Sequence, residues 1–166
     1  MKTSVIIISA ILTFSVFFPF LYFIYNGTKN TSSTKKHINS LLKDNGIVYS
    51  LKDFWRKNFI GISTDNRILT FIRSDKNNSV IKNINFSDLK QCNVVKHYSK
   101  DGDKVVRLKN AGLEFIFKTS INPNYVITFF NIDDDLSEDF ELQRIEKWHK
   151  QILDAIALHL NLKLAS

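Results

Sequence analysis

The amino-acid sequence predicts an α+β chain, mainly β, made of an N-terminal transmembrane helix, seven antiparallel strands and a C-terminal amphipathic helix. Three observations predict this class. A charge-free apolar run opens the chain, short apolar runs separated by turn-forming residues fill its middle, and an apolar stripe with helical spacing closes it. A length of 166 residues suits one such domain with an accessory segment.

The first element is predicted from residues 4–25, which carry no charged side chain. As a helix these 22 residues would extend about 33 Å, close to the thickness of a bilayer core. A cleaved signal peptide is the alternative, but its apolar core is shorter and ends in small residues, whereas this run ends in bulky ones, Phe20 to Phe23. We therefore predict a single-pass, uncleaved transmembrane anchor over residues 1–26.

The flanking charges predict the orientation of this anchor. Only Lys2 precedes the apolar run, while four lysines follow it between residues 29 and 43. The positive-inside rule then places the soluble domain in the cytoplasm. The single cysteine, Cys92, excludes an internal disulfide and fits a reducing compartment. The alternative is an extracytoplasmic structural component of a membrane or secretion assembly, with the opposite topology.

Residues 27–46 are predicted to connect the anchor to the domain. The stretch NGTKNTSST at 26–34 has the composition of a flexible polar linker. Beyond it, Ile38, Leu41 and Leu42 have the spacing of a short amphipathic helix that ends at Asn45-Gly46. This helix either packs on the domain or lies on the membrane surface with its lysines toward lipid headgroups.

The seven strands are predicted from apolar, β-rich runs separated by the turn-forming stretches STDN, SDKNNS, FSDLKQ, SKDGD, KNAG and SINPN. Two of the runs alternate between apolar and polar residues, as a strand with one solvent-exposed face should. Leu113, Phe115 and Phe117 share one face of their strand, and Ile84 and Phe86 share one face of another. The predicted strands are 59–62, 68–72, 80–86, 92–98, 105–108, 113–117 and 125–130.

The period changes to that of a helix near the C-terminus. Asp135-Leu-Ser-Glu138 has the pattern of a capping box, which predicts the start of the helix. After it, an apolar residue recurs every three or four positions, which indicates a helix of about 20 residues or more. The residues of this stripe are Leu142, Ile145, Trp148, Ile152, Ile156 and Leu160.

Three stretches of the chain resemble bacterial PH-like (pleckstrin homology-like) domains. They are FIGISTDNRILTF at 59–71, INFSDLKQCNVV at 84–95 and LQRIEKWHKQI at 142–152. The resemblance implies a PH-like domain over residues 47–166, with a bent sheet or partly open barrel of seven strands closed at one end by the last helix. It also implies a non-catalytic binding or scaffolding module whose ligands are lipid headgroups, peptides or other proteins.

Charge is unevenly distributed along the chain. Residues 27–131 hold 18 Lys and Arg against 8 Asp and Glu, whereas residues 132–166 hold 4 against 8. A basic domain beside an anionic leaflet gains about 1 kcal/mol for each Lys or Arg that reaches the surface. The candidate residues for facing the membrane or a ligand are Arg56, Lys57, Arg73, Lys76 and Lys82, although scattered lysines are more often simply solvated.

The sequence offers no pattern for catalysis or a cofactor. Cys92 and His97 give two ligands, fewer than a zinc site needs, and the acids Asp133 to Asp135 lack the spacing of a calcium loop. Phosphate-binding loops and nucleophile motifs are also missing from the sequence. We therefore expect no enzyme activity, no cofactor, no metal and no nucleic acid; the expected partners are the lipid bilayer and either anionic lipid headgroups or a membrane protein. The sequence leaves homo-oligomerisation open.

Overall fold

The computed structural model describes residues 2–75, 78–101, 105–119, 123–135 and 137–164. The elements follow one another as α1 Lys2–Asn45, β1 Tyr49–Trp55, β2 Asn58–Ser63, β3 Ile68–Ser74, β4 Ser79–Asn85, β5 Leu89–Asp101, β6 Val105–Phe117, β7 Tyr125–Asn131 and α2 Glu141–Leu164. A short 3₁₀ turn, Phe86–Asp88, joins β4 to β5.

The strands form two antiparallel sheets, and neither sheet is closed. The first has the order β1-β2-β3-β4 and the second the order β5-β6-β7. In each sheet the strands lie in the order in which they occur along the chain, so each strand pairs with the strand that follows it in sequence. The predicted α+β class, mainly β and with a C-terminal helix, is confirmed.

The predicted strands differ from the observed ones in two places. β1 was not predicted, because Lys52 and Asp53 lie in the middle of YSLKDFW and interrupt its apolar pattern. In the structure, burial along β1 does not alternate either. The segments 105–108 and 113–117 are one strand, since KNAG is not a turn. His97 pairs with Asn110 and Tyr98 with Leu108, which leaves Lys109 as an extra residue in a bulge. One strand was missed and two merged, so the count of seven stands with different members.

Gly112 explains why a turn-forming composition occurs inside β6. A Cβ added to Gly112 would lie 2.3 Å from the carbonyl oxygen of Ile127, because β6 and β7 approach closely at a second register shift. Glycine is therefore required here for backbone contact between strands.

The predicted capping box is also wrong. The Asp135 carboxylate accepts a hydrogen bond from the backbone N–H of Asn131, and it thereby closes the turn after β7. The helix begins six residues later, at Glu141, where Glu138 accepts a hydrogen bond from the N–H of Leu142. The apolar stripe is confirmed at Ile145, Trp148, Ile152 and Ile156, which are buried; the side chain of Leu160 lies outside the described residues.

The chain divides into two compact units. The second contains residues 48–53, 60–71 and 81–166, and its core lies between strands of both sheets and α2. Burying these side chains away from water is its main source of stability. The largest fully buried ones include Ile60, Ile62, Leu69, Ile84, Phe86, Leu89, Leu113, Phe115 and Phe129.

The first unit contains residues 1–47 together with residues 54–59 and 72–80. Ile38 of α1 is buried, as are Trp55 and Phe59, and the rings of Phe54 and Phe59 lie 4.9 Å apart. The C-terminal part of α1 is thus part of a packed unit, as one of the two predicted placements required. The helix ends at Asn45 as predicted, and Gly46 has the left-handed φ of 67° that suits a residue following a helix.

α1 is one helix of 44 residues and includes positions 26–34, where the sequence predicts a flexible linker. The helix is not interrupted at Pro19 or at Gly27, so the polar linker composition does not break the helical backbone. Among the residues that the structure describes, no helix combines the length and the hydropathy needed to cross a membrane.

Candidate functional site

Three of the five candidate basic residues lie together in the first unit. Arg56 and Lys57 form the turn between β1 and β2, and Arg73 lies near the end of β3. The backbone N–H of Ser74 donates to the carbonyl of Lys57 over 2.8 Å, which holds the turn against β3. We call Arg56, Lys57 and Arg73 the basic rim.

The charge of the basic rim is partly balanced by an acid. The Lys57 ammonium lies 3.3 Å from the carboxylate of Asp75, and both side chains are more than half exposed. An exposed pair of this kind contributes at most about 1 kcal/mol and leaves both groups accessible to a competing ligand. Arg56 has φ of 47°, so the chain reverses direction here without a glycine or asparagine.

α1 joins the unit that carries the basic rim through a polar contact. The ring Nε2 of His37 lies 3.0 Å from the hydroxyl of Ser79, the first residue of β4. With Ile38 buried beside it, this contact fixes the C-terminal part of α1 to the strand ends of the first unit.

Lys82 does not join the basic rim. It belongs to the second unit, where its ammonium lies 5.2 Å from the centre of the Tyr125 ring in a cation–π arrangement. Burial raises the pKa of the Tyr125 hydroxyl, which therefore stays protonated at neutral pH. Lys76 lies outside the described residues.

A second polar cluster fixes α2 to β1 within the second unit. The Asp53 carboxylate accepts a hydrogen bond of 3.0 Å from the Arg144 guanidinium and one of 3.4 Å from the indole N–H of Trp148. The side chains of Asp53 and Arg144 are 23% and 22% exposed, so the ion pair is largely shielded from water. Trp148 is buried, as its position in the predicted apolar stripe requires.

α2 also contacts the edge strand β5. The Nε2–H of His149 donates to the carbonyl oxygen of Cys92 over 3.0 Å, and Lys96 lies 3.5 Å from Glu146. The first contact satisfies a backbone acceptor on an edge strand. Cys92 is buried, and burial raises the pKa of its thiol to about 12, so it stays protonated and unreactive.

The remaining shifted group lies in the turn between β2 and β3. The Ser63 hydroxyl donates to the Asp65 carboxylate over 2.5 Å and lowers the pKa of that group, helped by the backbone N–H of Arg67. Asn66 takes a left-handed φ of 53°, so Asp65-Asn66 makes the turn as predicted, but in the second hairpin of the sheet.

The groups with shifted pKa values, Asp65, Cys92 and Tyr125, are each explained by a local structural cause. Within the described parts of the chain, no group of three or more His, Cys, Asp or Glu side chains could hold a metal ion. The arrangement of the described residues offers charged and apolar surfaces for binding.

Sequence reasoning missed the Asp53 cluster because its members are 91 and 95 residues apart. One signal pointed to it: an acid and a lysine interrupt the apolar run before Trp55, and Arg144 lies four positions before Trp148 on one helix face. The comparisons add nothing to these observations, since no protein-family model, curated protein or solved structure matches the chain.

Proposed function

We propose that this chain is a non-catalytic, membrane-tethered binding or scaffolding module of PH-like type. Two antiparallel sheets of four and three strands with a C-terminal helix support the PH-like interpretation. The span over residues 4–25 stays a prediction of the sequence, and the soluble domain is assigned to the cytoplasm on the lysines that follow it.

The observation that carries the proposal is the surface of α1. Between residues 6 and 22, every side chain that the structure describes is exposed, and most are large and apolar. A helix that is apolar all round needs an apolar environment, which water does not provide. A lipid bilayer is the environment that such a surface fits. The exposed residues include Ile6, Ile7, Ile8, Ile11, Leu12, Phe14, Phe17, Phe18 and Leu21.

The length of α1 bears on what the basic rim binds. From Tyr25, the last residue of the predicted span, to His37, the helix rises about 18 Å. Electrostatic attraction is screened over about 8 Å at physiological salt. With α1 upright in the bilayer, the basic rim would therefore lie beyond the reach of the headgroups. A membrane protein with an acidic surface above the bilayer is thus the partner that we propose, ahead of anionic lipid.

The membrane part of the proposal is tested by extraction of the full-length protein from membranes with alkaline carbonate. We expect the native chain to stay with the lipid and the double variant Ile11→Lys, Phe14→Lys to be released. Each central lysine opposes insertion by about 3 kcal/mol. Val126→Lys, at an exposed position on β7, is the matched control and should stay with the lipid. Release of the native chain would refute the anchor.

The binding part is tested by crosslinking in native membranes from a photoreactive residue at position 57, with one at position 118 as the control. We expect a protein adduct at position 57 that is lost in the Arg56→Glu, Arg73→Glu variant. Flotation with anionic liposomes distinguishes the lipid ligand: binding that falls with added salt and with this variant would replace the protein partner by lipid.

The topology is tested with a C-terminal reporter that is active only when exported. Activity of this reporter would overturn the cytoplasmic assignment.

A further inference from the structure

The β5–β6 hairpin extends beyond the sheet to which it belongs. β7 ends at Asn131, opposite Asn110, whereas β5 and β6 continue to pair up to Asp101 and Val105. We call residues 98–101 and 105–108 the ribbon. Two large side chains of the ribbon, Tyr98 and Val106, are exposed, Val106 to 60%.

The ribbon and the neighbouring residues of its two strands are basic. Over 96–101 and 105–109 the chain carries four Lys or Arg and one Asp. Arg107 is exposed and stands opposite Ser99 in the register. The ribbon therefore combines positive charge with exposed apolar surface.

An acidic segment of the same unit begins beside the base of the ribbon. Residues 132–141 hold six Asp or Glu and no Lys or Arg. At one end of this segment, the N–H of Ile132 donates to the carbonyl of Lys109 over 2.9 Å. Just beyond the other end, Glu146 of α2 lies 3.5 Å from Lys96 of β5. The start of the segment is thus attached where the ribbon leaves the sheet, and the helix that follows the segment contacts β5 close to the same place.

The acidic segment also exposes apolar side chains. Phe140 is 65% exposed immediately before α2, and Ile132 is exposed after β7. Large apolar side chains surrounded by charge are the composition of a protein interface with a central apolar contact and a polar margin.

The two surfaces are complementary to each other and lie side by side on one unit. Two copies related by a twofold axis can place each ribbon against the other copy's acidic segment, and the same contact then forms twice. Ribbon against ribbon would instead bring like charges together, which disfavours that arrangement. We propose that this face is the interface of a symmetric dimer, in which the ribbon of each copy contacts the acidic segment of the other.

Reversing charges one side at a time tests the dimer. The full-length protein in mild detergent should sediment as a dimer. Arg107→Glu and Asp139→Lys should each raise the dissociation constant at least tenfold, because each creates like-charge contacts twice in the dimer. Lys90→Glu, which reverses a charge at the far end of β5, is the control and should leave dissociation unchanged.

Mixing the two variants gives the decisive result. In a mixed dimer Glu meets Lys at one contact, and the native Arg and Asp meet at the other, so native affinity should return. A monomeric native protein, equal effects of Arg107→Glu and Lys90→Glu, or a mixture that stays dissociated would each overturn the proposal.

Crosslinking identifies the contact independently of affinity. Under mild oxidation, a mixture of Val106→Cys and Phe140→Cys proteins should form a disulfide-linked dimer. Val126→Cys, at an exposed position on β7, should give none with either partner. The native Cys92 is buried and does not interfere. A Val126→Cys product as strong as the mixed one would count against this face.

Discussion

Removing Asp53 should loosen α2 from the first sheet, and the size of the effect follows from the geometry. Its carboxylate accepts hydrogen bonds from Arg144 at 3.0 Å and from Trp148 at 3.4 Å. A hydrogen bond to a charged group contributes about 1.5 to 3 kcal/mol when shielded, and an exposed ion pair at most about 1 kcal/mol. Because both charged side chains are about three-quarters buried, we expect Asp53→Ala to lower the free energy of unfolding by about 2 kcal/mol.

A double-mutant cycle separates this ion pair from other effects. Asp53→Ala, Arg144→Ala and the double variant are unfolded with urea in mild detergent, and helix content is followed by circular dichroism. We expect a coupling energy of about 1 kcal/mol between the two residues. Asp53→Asn keeps one oxygen acceptor without the charge, so its effect should be about half that of Asp53→Ala.

The Lys96–Glu146 pair is the matched control, since it joins the same helix to a strand but Glu146 is mostly exposed. Its coupling energy should stay below about 0.5 kcal/mol. Equal coupling energies for the two pairs, or additive effects at Asp53 and Arg144, would refute the argument that shielding makes the Asp53 pair stronger.

Three further predictions concern single positions in the second unit. Gly112→Ala should destabilise the fold by about 2 kcal/mol or more in urea unfolding, because its Cβ would meet the Ile127 carbonyl. Cys92 should react with a thiol reagent only on unfolding. Burial raises the pKa of its thiol to about 12, so the stability that the protonated thiol contributes is present at pH values below the ordinary thiol pKa and is lost as pH rises toward 12. Ser63→Ala should raise the lowered pKa of Asp65 in an NMR titration; in the native chain the contribution of this carboxyl is present above its ordinary pKa and is lost as pH falls through the lowered one.

The C-terminal helix could be predicted from the sequence because a single period describes it. Ile145, Trp148, Ile152 and Ile156 all face the core, so burial and spacing agree. The strand 113–117 was visible for the same reason, with Leu113 and Phe115 buried. The spacing of apolar residues alone predicts the type of such an element and its buried face, without knowledge of the elements that pack against it.

The wrongly predicted strand boundaries occur where a residue makes a contact with a part of the chain that is distant in sequence. Gly112 is needed for the approach of β7, and Asp53 interrupts an apolar run because it binds a helix 91 residues away. Arg56 makes a turn with a left-handed backbone, a role that composition assigns to glycine or asparagine. Such residues contradict the local pattern for a tertiary reason, and local patterns cannot reveal it.

The candidate basic residues show the same limit. The structure brings Arg56, Lys57 and Arg73 together in the first unit, and their role in facing a membrane or ligand stays a prediction. Lys82 differs because its ammonium lies over the ring of Tyr125, which belongs to a strand of the other sheet. A pairing of this kind depends on how the chain folds back, which the spacing of charges does not encode.

The Asp53 contact should also control the proposed dimer, although Asp53 lies outside its face. The acidic segment runs from Ile132 to the start of α2, so its position depends on how firmly α2 is held. Asp53→Asn should therefore weaken association as well as stability. Arg107→Glu, on the exposed ribbon, should weaken association alone. Sedimentation and urea unfolding of both variants decide the matter: if Asp53→Asn lowers stability but leaves the dissociation constant unchanged, the acidic segment is positioned independently of α2, and the proposed control of association by Asp53 is refuted.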